Sequence, residues 1–453
     1  MTLQVHAWAG SDPGQKRSSN EDGFLADTAL GLFMVCDGMG GHAAGETASS
    51  EALKEIHRFL EQHLPELQQL EQSGKEARPK VLRLLEQAVL SACHHLYALA
   101  VANPRLRGMG TTVSLLLCRD RWAYLAHVGD SRIYLVRGEQ MHQLTEDHTV
   151  LAELMRRSRT EAESIKELPY RHSLSRAVGT QSTVEVDAVE LELFSGDRFL
   201  LCTDGLTEYV EEPVQLQAIL TEGPLEGAPR RLIAHANARG GRDNVTAMVL
   251  EVAELELKDD GLATEVMQHK FRMDTLGAIW LLKHLSYKEL IRVLNITESR
   301  QYPPGATIIS EGEQGDSLFV MMRGQARVLK GREQVALLNK GDHFGEMALV
   351  DSFPRSATVE AVTQVQTRTI SREPFYELLR SDPLLSNKIL WNFVQILSCR
   401  LRDTSMRMEW MRSQVQQQRS GTPEGEEARQ ASPAGAASAS SPEAPATPDA
   451  SDW

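Results

Sequence analysis

The chain has 453 residues, too many for one ordinary core, so two or three domains are expected. Its apolar share of 42% and charged share of 24% are those of a soluble globular protein. A net charge of −14 argues against nucleic-acid binding by the chain as a whole. In chain order, Leu32 to Cys36 is an apolar run of strand length, ended by Asp37 and by glycines at positions 38, 40 and 41. Residues 43 to 71 read as helix broken at Pro65, and Pro79 to Ala102 as a second long helix. Strands at Thr111–Cys118, Arg121–His127 and Arg132–Val136 lie close enough to form antiparallel hairpins. Residues 147 to 172 are polar and mixed, which predicts a helical flap. Strands return at Val184–Leu193 and Arg198–Cys202, followed by a helix over 227 to 238 and a closing strand at Val245–Val252. Two helices between two groups of strands predict stacked antiparallel sheets with helices outside.

Residues 254 to 270 are acidic and weakly patterned, a linker or connecting helix. Residues 274 to 295 read as helix, and Tyr302 to Thr369 as short strands punctuated by glycines, a small β-roll or barrel. Helix resumes at 373 and runs, with a break near Pro383, to about Met411. From Arg412 to Trp453 the composition falls to Ser, Pro, Ala, Gln and Glu, which predicts disorder. The five cysteines, Cys36, Cys93, Cys118, Cys202 and Cys399, sit mostly in apolar runs and fit free thiols in a reducing compartment. None is followed six positions later by Arg, which excludes the thiolate motif of tyrosine phosphatases. The N-terminus lacks a basic segment followed by an apolar one. The longest charge-free run, Gln87 to Pro104, is interrupted by His94, His95 and Asn103 and reads as a buried helix. A cytoplasmic protein with no membrane partner is expected.

Acids recur at strand ends beside Gly or Asn: Asn20-Glu21-Asp22, Asp37-Gly38, Thr203-Asp204-Gly205 and Arg242-Asp243-Asn244. Oxygen-only donors of this kind suit Mg²⁺ or Mn²⁺ and not zinc. Together with Arg17, Gly108-Met109-Gly110-Thr111-Thr112 and Val128-Gly129-Asp130-Ser131-Arg132, in this order over about residues 5 to 253, the set resembles the metal-dependent (type 2C) serine/threonine protein phosphatases, in their bacterial branch. The resemblance implies a four-layer αββα sandwich, hence an α+β chain. It also implies two divalent ions, roughly 3.5–4 Å apart, that activate a bridging water. It assigns Asp37 as the bridging ligand, with Asp204 and Asp243 on one ion. Glu21 and the Gly38 carbonyl serve the other ion, and Asp130 shares a weaker third ion with Asp204. Arg17 grips the substrate phosphate, a task suited to a guanidinium fork. Asp130 also reads as a plain turn acid. Met39 stands where animal members carry His; His42, typical of the bacterial branch, is either the general acid or a helix cap. Structural roles are expected for Thr145, Asp147 and His148.

Further on, Phe344-Gly345-Glu346-Met347-Ala348-Leu349 through Arg355-Ser356-Ala357 resembles the phosphate-binding cassette of cyclic nucleotide-binding domains, with Glu311-Gly312-Glu313-Gln314-Gly315-Asp316 upstream fitting the same roll. Such a site needs backbone amides and one cation for the cyclic phosphate. The resemblance gives these to Gly345, Glu346, Met347, Ala348 and Arg355. Glu346 also takes the ribose 2′-hydroxyl, and Ser356 leaves cAMP favoured over cGMP. The other reading is a roll that kept its shape and lost its ligand. In the last helix Leu390, Val394, Leu397, Leu401, Thr404, Met408 and Met411 follow a 3.5-residue repeat. That seam fits either a homodimer through 384–411 or packing on the roll.

The expected organisation is a phosphatase domain at 1–253, a linker at 254–273, a cyclic nucleotide-binding domain at 274–411 and a disordered tail at 412–453. The expected activity is hydrolysis of phosphoserine and phosphothreonine, under allosteric control by a cyclic nucleotide. Expected partners are phosphoproteins, including a serine/threonine kinase or its substrates. The rival is a non-catalytic signalling scaffold, against which the retained Asp37, Asp204 and Asp243 argue.

Overall fold

In the computed structural model, which describes residues 3–41, 43–72, 77–157, 173–210, 213–254, 269 and 272–419, the first half of the chain builds two antiparallel sheets. The elements begin with β1 (Leu3–Asp12), β2 (Asp22–Asp27), β3 (Leu32–Met39), α1 (Ala43–Gln62), α2 (Leu64–Gln72) and α3 (Arg78–Ala102). Next come β4 (Gly110–Thr111), β5 (Val113–Arg119), β6 (Trp122–Val128), β7 (Arg132–Arg137), β8 (Gln140–Gln143) and α4 (Val150–Arg157). The sandwich ends with β9 (Asp187–Glu192), β10 (Arg198–Cys202), α5 (Pro213–Thr221), α6 (Ala228–Ala238) and β11 (Val245–Glu254). One sheet has the order β1-β11-β10-β7-β8; the other is β2-β3-β5-β6-β9, with β4 paired to β3.

The apolar run of β3 is continuous because both its faces are covered. Leu32, Met34 and Cys36 pack under α1 and α3, while Phe33 and Val35 point into the space between the sheets. On the far side, Leu200, Cys202 and Val249 meet Leu216, Leu220, Leu232 and Ala236 of α5 and α6. Four layers, helix–sheet–sheet–helix, result as expected. The helix α3 is apolar and long enough by composition to cross a membrane, but Leu85, Ala88, Val89, Ala92, Cys93 and Leu96 are buried in the core beneath the sheet.

The second half holds α7 (Tyr287–Asn295) and the strands β12 (Thr297–Tyr302), β13 (Thr307–Ile309), β14 (Ser317–Arg323), β15 (Ala326–Lys330) and β16 (Glu333–Leu338). It continues with β17 (His343–Phe344), β18 (Thr358–Ala361), β19 (Val365–Ser371), α8 (Arg372–Ser381) and α9 (Pro383–Arg419). Two four-stranded sheets, β12-β19-β14-β17 and β13-β18-β15-β16, close over Phe319, Met321, Phe344, Val359 and Val365, forming the expected roll. Its helical side buries Leu282, Val293, Phe375, Leu385, Ile389 and Phe393 against Leu318 and Ile370.

Sandwich and roll form one compact unit, Met1–Ile396. The second unit starts at Leu397; its described residues are helical, with Leu397, Leu401, Met408, Trp410 and Met411 exposed. Within the first unit α7 does unusual work. Its Ile291, together with Met273 from the preceding helical turn, enters the core between the two sandwich sheets. Tyr287 stacks on His142 of β8 at 3.7 Å, and Asn295 Nδ2 donates to the Glu190 carbonyl of β9 at 2.9 Å. Both β8 and β9 are edge strands, so the helix covers edges that would otherwise expose free backbone groups.

Several elements differ from the sequence reading. The helix expected over 274–295 is broken. A helical turn at 272–277 gives way to a 3₁₀ turn at Trp280–Leu282 and a left-handed His284, and α7 restarts at a Ser286–Glu289 capping box. The short strand β8 and the helix α5 were not expected. The last helix continues past Met411 to Arg419, because the Gln- and Arg-rich stretch there favours helix. Of the cysteines, Cys399 is exposed and the other four are buried. Of the helical flap expected over 147–172, residues 150–157 are helix and 158–172 lie outside the described residues, as do most of the linker expected over 254–273 and the tail beyond 419.

A buried ion pair anchors the sandwich beside α7. Arg137 Nε and Nη2 donate to both Asp197 oxygens at 2.8 and 2.6 Å, and the Phe194 amide donates to the same carboxylate at 2.9 Å. Asp197→Ala strands a buried guanidinium and should cost about 3–5 kcal/mol. Denaturant unfolding of the full chain checks this.

Candidate metal centre and nucleotide cassette

Strand pairing places the acids. Asp22 on β2 is the direct cross-strand partner of Asp37 on β3. Asp204 follows β10, Asp243 precedes β11, and Asp130 lies in the turn between β6 and β7. Threonines fix the frame around Asp37. The Asp37 amide donates to Thr112 Oγ1 at 2.9 Å, while the Thr112 amide and the Thr111 hydroxyl both donate to the Asp37 carbonyl at 2.9 Å. Thr112 then reaches Ser131 at 2.7 Å, which ties the Asp37 strand to the Asp130 turn.

Burial and mutual repulsion raise the pKa of the acids in this cluster. Burial, then the charges of Asp22 and Asp204, pushes the Asp37 carboxyl well above its ordinary range. Asp130 is pushed up to about 8 by burial and then by Asp204. Asp204 is raised as well, chiefly by burial, and shares a hydrogen bond with Asp37. Asp22 rises to about 7 through burial, although Thr203 and Thr246 donate to its Oδ2 at 2.8 and 2.7 Å. Asp22 Oδ1 and Asp204 Oδ1 are buried with no hydrogen-bond partner among the described residues. Orphaned carboxylate oxygens in a group of mutually repelling acids fit hard divalent ions.

A second set of donors converges over Gly45. A Cβ there would lie 1.9 Å from Glu21 Oε2 and 2.9 Å from the Gly38 carbonyl oxygen. Only a bare glycine at the start of α1 lets the two oxygens share this space. The Glu21 backbone is held by its amide, which donates to Asn244 Oδ1 at 2.8 Å, and Asn244 Nδ2 pins the Pro13 and Ser19 carbonyls.

The sequence-derived acids lie close together: Asp37 and Gly38 end β3, Asp204 follows β10, Asp130 and Asp243 lie in turns, and the charges of Asp37, Asp130, Asp204 and Asp243 act on one another. Arg17 reaches the same end, where Nη2 donates to Asp243 at 2.7 Å; its side chain is 54% exposed and accessible to a substrate. His42 lies outside the described residues. Three participants were missed. Asp22 lies within the Asn20-Glu21-Asp22 triplet, and its strand position opposite Asp37 is the signal that marks it. Gly45, a helical glycine with no turn to make, and Asn244, beside Asp243, act by allowing or fixing the positions of others. Of the residues expected to be structural, Thr145 accepts the Ile133 amide and Asp147 forms a two-bond pair with Arg132 at 2.8 and 2.7 Å.

In the roll, Arg355 is buried beneath Gly345 and Gly315. Its Nη1 donates to the Gly345 carbonyl at 3.2 Å and its Nη2 to the Ser317 carbonyl at 2.9 Å, while Nε has no partner among the described residues. A Cβ on Gly315 would meet Arg355 Nε at 2.1 Å, and one on Gly345, whose φ is +79°, would meet Nη1 at 2.6 Å. Burial lowers the Arg355 pKa against the opposing pull of Glu313, Asp316 and Glu346. Glu346 and Ala348 are buried, Met347 is 39% exposed and Ser356 is exposed. The Ala348 amide donates to the Gly345 carbonyl at 3.1 Å. A buried cation with a free N–H between glycines is suited to an anion.

An αββα sandwich whose loops crowd buried carboxylates at one end defines a metal-dependent hydrolase. The family model "Protein phosphatase 2C" matches residues 10–235, and "Cyclic nucleotide-binding domain" matches residues 299–382. The serine/threonine phosphatase stp of Listeria innocua is 32% identical over 250 residues, covering 54% of this chain and 96% of that protein. PstP of Mycobacterium tuberculosis is 35% identical over 256 residues, 56% of this chain and 46% of that protein. A crystal structure of M. tuberculosis PstP/Ppp, 32% identical, covers 55% of this chain and 100% of that one with a TM-score of 0.48. The chain belongs to the protein phosphatase 2C family; it is a metal-dependent serine/threonine phosphatase that also carries a C-terminal cyclic nucleotide-binding domain.

Because the acids repel one another until a cation joins them, chelation should destabilise the sandwich. Thermal unfolding in EDTA should occur at lower temperature than in Mn²⁺. Asp37→Ala should lose several orders of magnitude in kcat on a phosphoserine peptide while its apo melting temperature holds or rises. An Asp37→Ala protein with full turnover would overturn the assignment.

Proposed function

We propose that the chain removes phosphate from phosphoserine and phosphothreonine in proteins and that a cyclic nucleotide, cAMP in preference to cGMP, sets its rate. The carboxylate cluster with its orphaned oxygens carries the first half of this reading. Asp37, Asp204 and Asp243 would hold one divalent ion, Mn²⁺ or Mg²⁺, and Asp37, Glu21 and the Gly38 carbonyl a second. Asp130, beside Asp204, suits a weaker third ion. When bound, the ions supply a water of lowered pKa and screen the phosphoryl oxygens. Arg17 exchanges Asp243 for two oxygens of the substrate phosphate, which orients the ester. His42 protonates the leaving alkoxide. Substrates include a serine/threonine kinase or its targets, in the cytoplasm.

The Nε of buried Arg355, which has no partner among the described residues, carries the second half. The cyclic phosphate takes the Arg355 fork and the amides around Glu346, and the Glu346 carboxylate takes the ribose hydroxyl. The exposed residues Leu390, Val394, Leu397, Leu401, Met408 and Met411 lie on one helix at a 3.5-residue repeat. Such a stripe favours pairing with a second copy of the chain.

Three measurements test these readings. Calorimetric titration of the full chain should show cAMP binding that Arg355→Ala abolishes, while the metal-dependent turnover of that variant persists. No heat from cAMP or cGMP at millimolar concentration would mean that the roll has lost its ligand. His42→Ala should slow a phosphopeptide more than p-nitrophenyl phosphate, whose leaving group needs no proton; equal losses assign His42 a structural role. Sedimentation should report a dimer that the double variant Leu397→Glu, Leu401→Glu converts to monomer.

A further inference from the structure

Lys288 belongs to α7, in the C-terminal half of the chain, yet its ammonium serves the sandwich. It is 6% exposed, and Nζ donates to Asp187 Oδ2 at 2.7 Å. Asp187, the first residue of edge strand β9, is held on its other oxygen by Arg176 Nη1 at 3.1 Å and faces His148 Nε2 at 3.5 Å. Burial raises the Asp187 pKa, but His148 and Lys288 outweigh it and hold the group far below its ordinary range.

His148 is fully buried and grips Gly129 twice. Its amide donates to the Gly129 carbonyl at 2.7 Å, and the Gly129 amide donates to its Nδ1 at 3.1 Å. Because Nδ1 accepts, the ring proton is assigned to Nε2, which lies 3.5 Å from Asp187 Oδ1 and 3.4 Å from Arg176 Nη1. Gly129 has φ +112°, and a Cβ there would lie 2.5 Å from Thr112. The turn has little freedom beyond the clamp, and its next residue is Asp130.

We propose that Lys288 is a positioning residue for the metal centre: through Asp187 it orients His148, whose double grip on Gly129 fixes Asp130. This rests on the placement of Asp130 as a metal ligand proposed above. The adjacent Glu289 faces the other way. It is buried, and Lys388 Nζ of α9 donates to both its oxygens at 2.8 and 2.9 Å. Arg292, one turn on, pairs with Asp382 between α8 and α9. Arg372, at the start of α8, donates through Nε to the Ala348 carbonyl in the cassette at 2.8 Å. The same helix is thus gripped on one side by the nucleotide-binding half and on the other by the carboxylate that steers the Asp130 turn.

The test uses the full chain and reads more than turnover. Hydrogen exchange of the Gly129 amide in EDTA reports the clamp without metal, and calorimetry reports Mn²⁺ binding. In Lys288→Met, Gly129 should exchange about tenfold faster and the weakest Mn²⁺ site should lose about tenfold in affinity, the lower end for residues that orient metal ligands. Lys288→Arg should restore both. Should Lys288→Met fail to fold, the near-isosteric Asp187→Asn carries the same test. Parental exchange and parental Mn²⁺ binding in Asp187→Asn or in a folded Lys288→Met overturn the proposal. Failure of the Asp130 reading has a different signature: Asp130→Asn then leaves Mn²⁺ binding unchanged while Gly129 still responds to Lys288→Met.

Discussion

Mutual repulsion among buried carboxylates governs the front half of this molecule. Two unit charges about 4 Å apart cost about 4 kcal/mol at the dielectric typical of such sites. A whole domain is stable by only about 5–15 kcal/mol. Asp22 and Asp37, opposite one another on β2 and β3, with Asp204 and Asp130 beside them, cannot all be ionised without a counter-charge. Hydrogen bonds meet part of the demand. Thr203 and Thr246 donate to one oxygen of Asp22, but its other oxygen and one of Asp204 remain without partners among the described residues. The fold holds these acids in place through strand pairing and threonine hydroxyls, and either protons or cations must relieve their mutual repulsion.

That arrangement explains which parts of the chain could be read in advance. The strand ending at Asp37 was legible because it is apolar on both faces, and both faces are covered. The acids were legible because each stands beside a Gly or Asn that lets the backbone turn. β8 was not, because Gln140–Gln143 is a polar edge strand whose identity comes from its pairing with β7 and the stacking of Tyr287 on His142. Asp22 was passed over because its importance lies in burial and register, neither of which a triplet of letters expresses. The break within 274–295 was hidden because the apolar period continues across it. Only the left-handed His284 and the Ser286 capping box show where the helix restarts.

The position of α7 is the least legible feature and the one with the largest consequence. Nothing in the letters pairs Lys288 with Asp187 across 101 positions. A tethered regulatory module would keep its own core and expose polar surface to its neighbour. Here Ile291 and Met273 share the core between the sandwich sheets, and α7 closes two edges at once. Burying those side chains in one continuous core makes sliding costly, because packed interiors switch between discrete arrangements and do not deform smoothly.

A shared helix has a thermodynamic corollary. If a ligand in the roll favours one position of α7, and that position alters how firmly His148 holds Gly129, then ligand and metal are linked through one equilibrium. Linkage is reciprocal: whatever factor the nucleotide imposes on metal affinity, the metal must impose on nucleotide affinity. The coupling cannot exceed the difference in the nucleotide's affinity for the two positions. Lys288 and Glu289, adjacent in sequence and facing opposite halves of the molecule, are where that difference would be transmitted. Their pairs with Asp187 and Lys388 are both short, and Lys288 and Glu289 are themselves buried, so neither half can move α7 without straining a charge pair that the other half supplies.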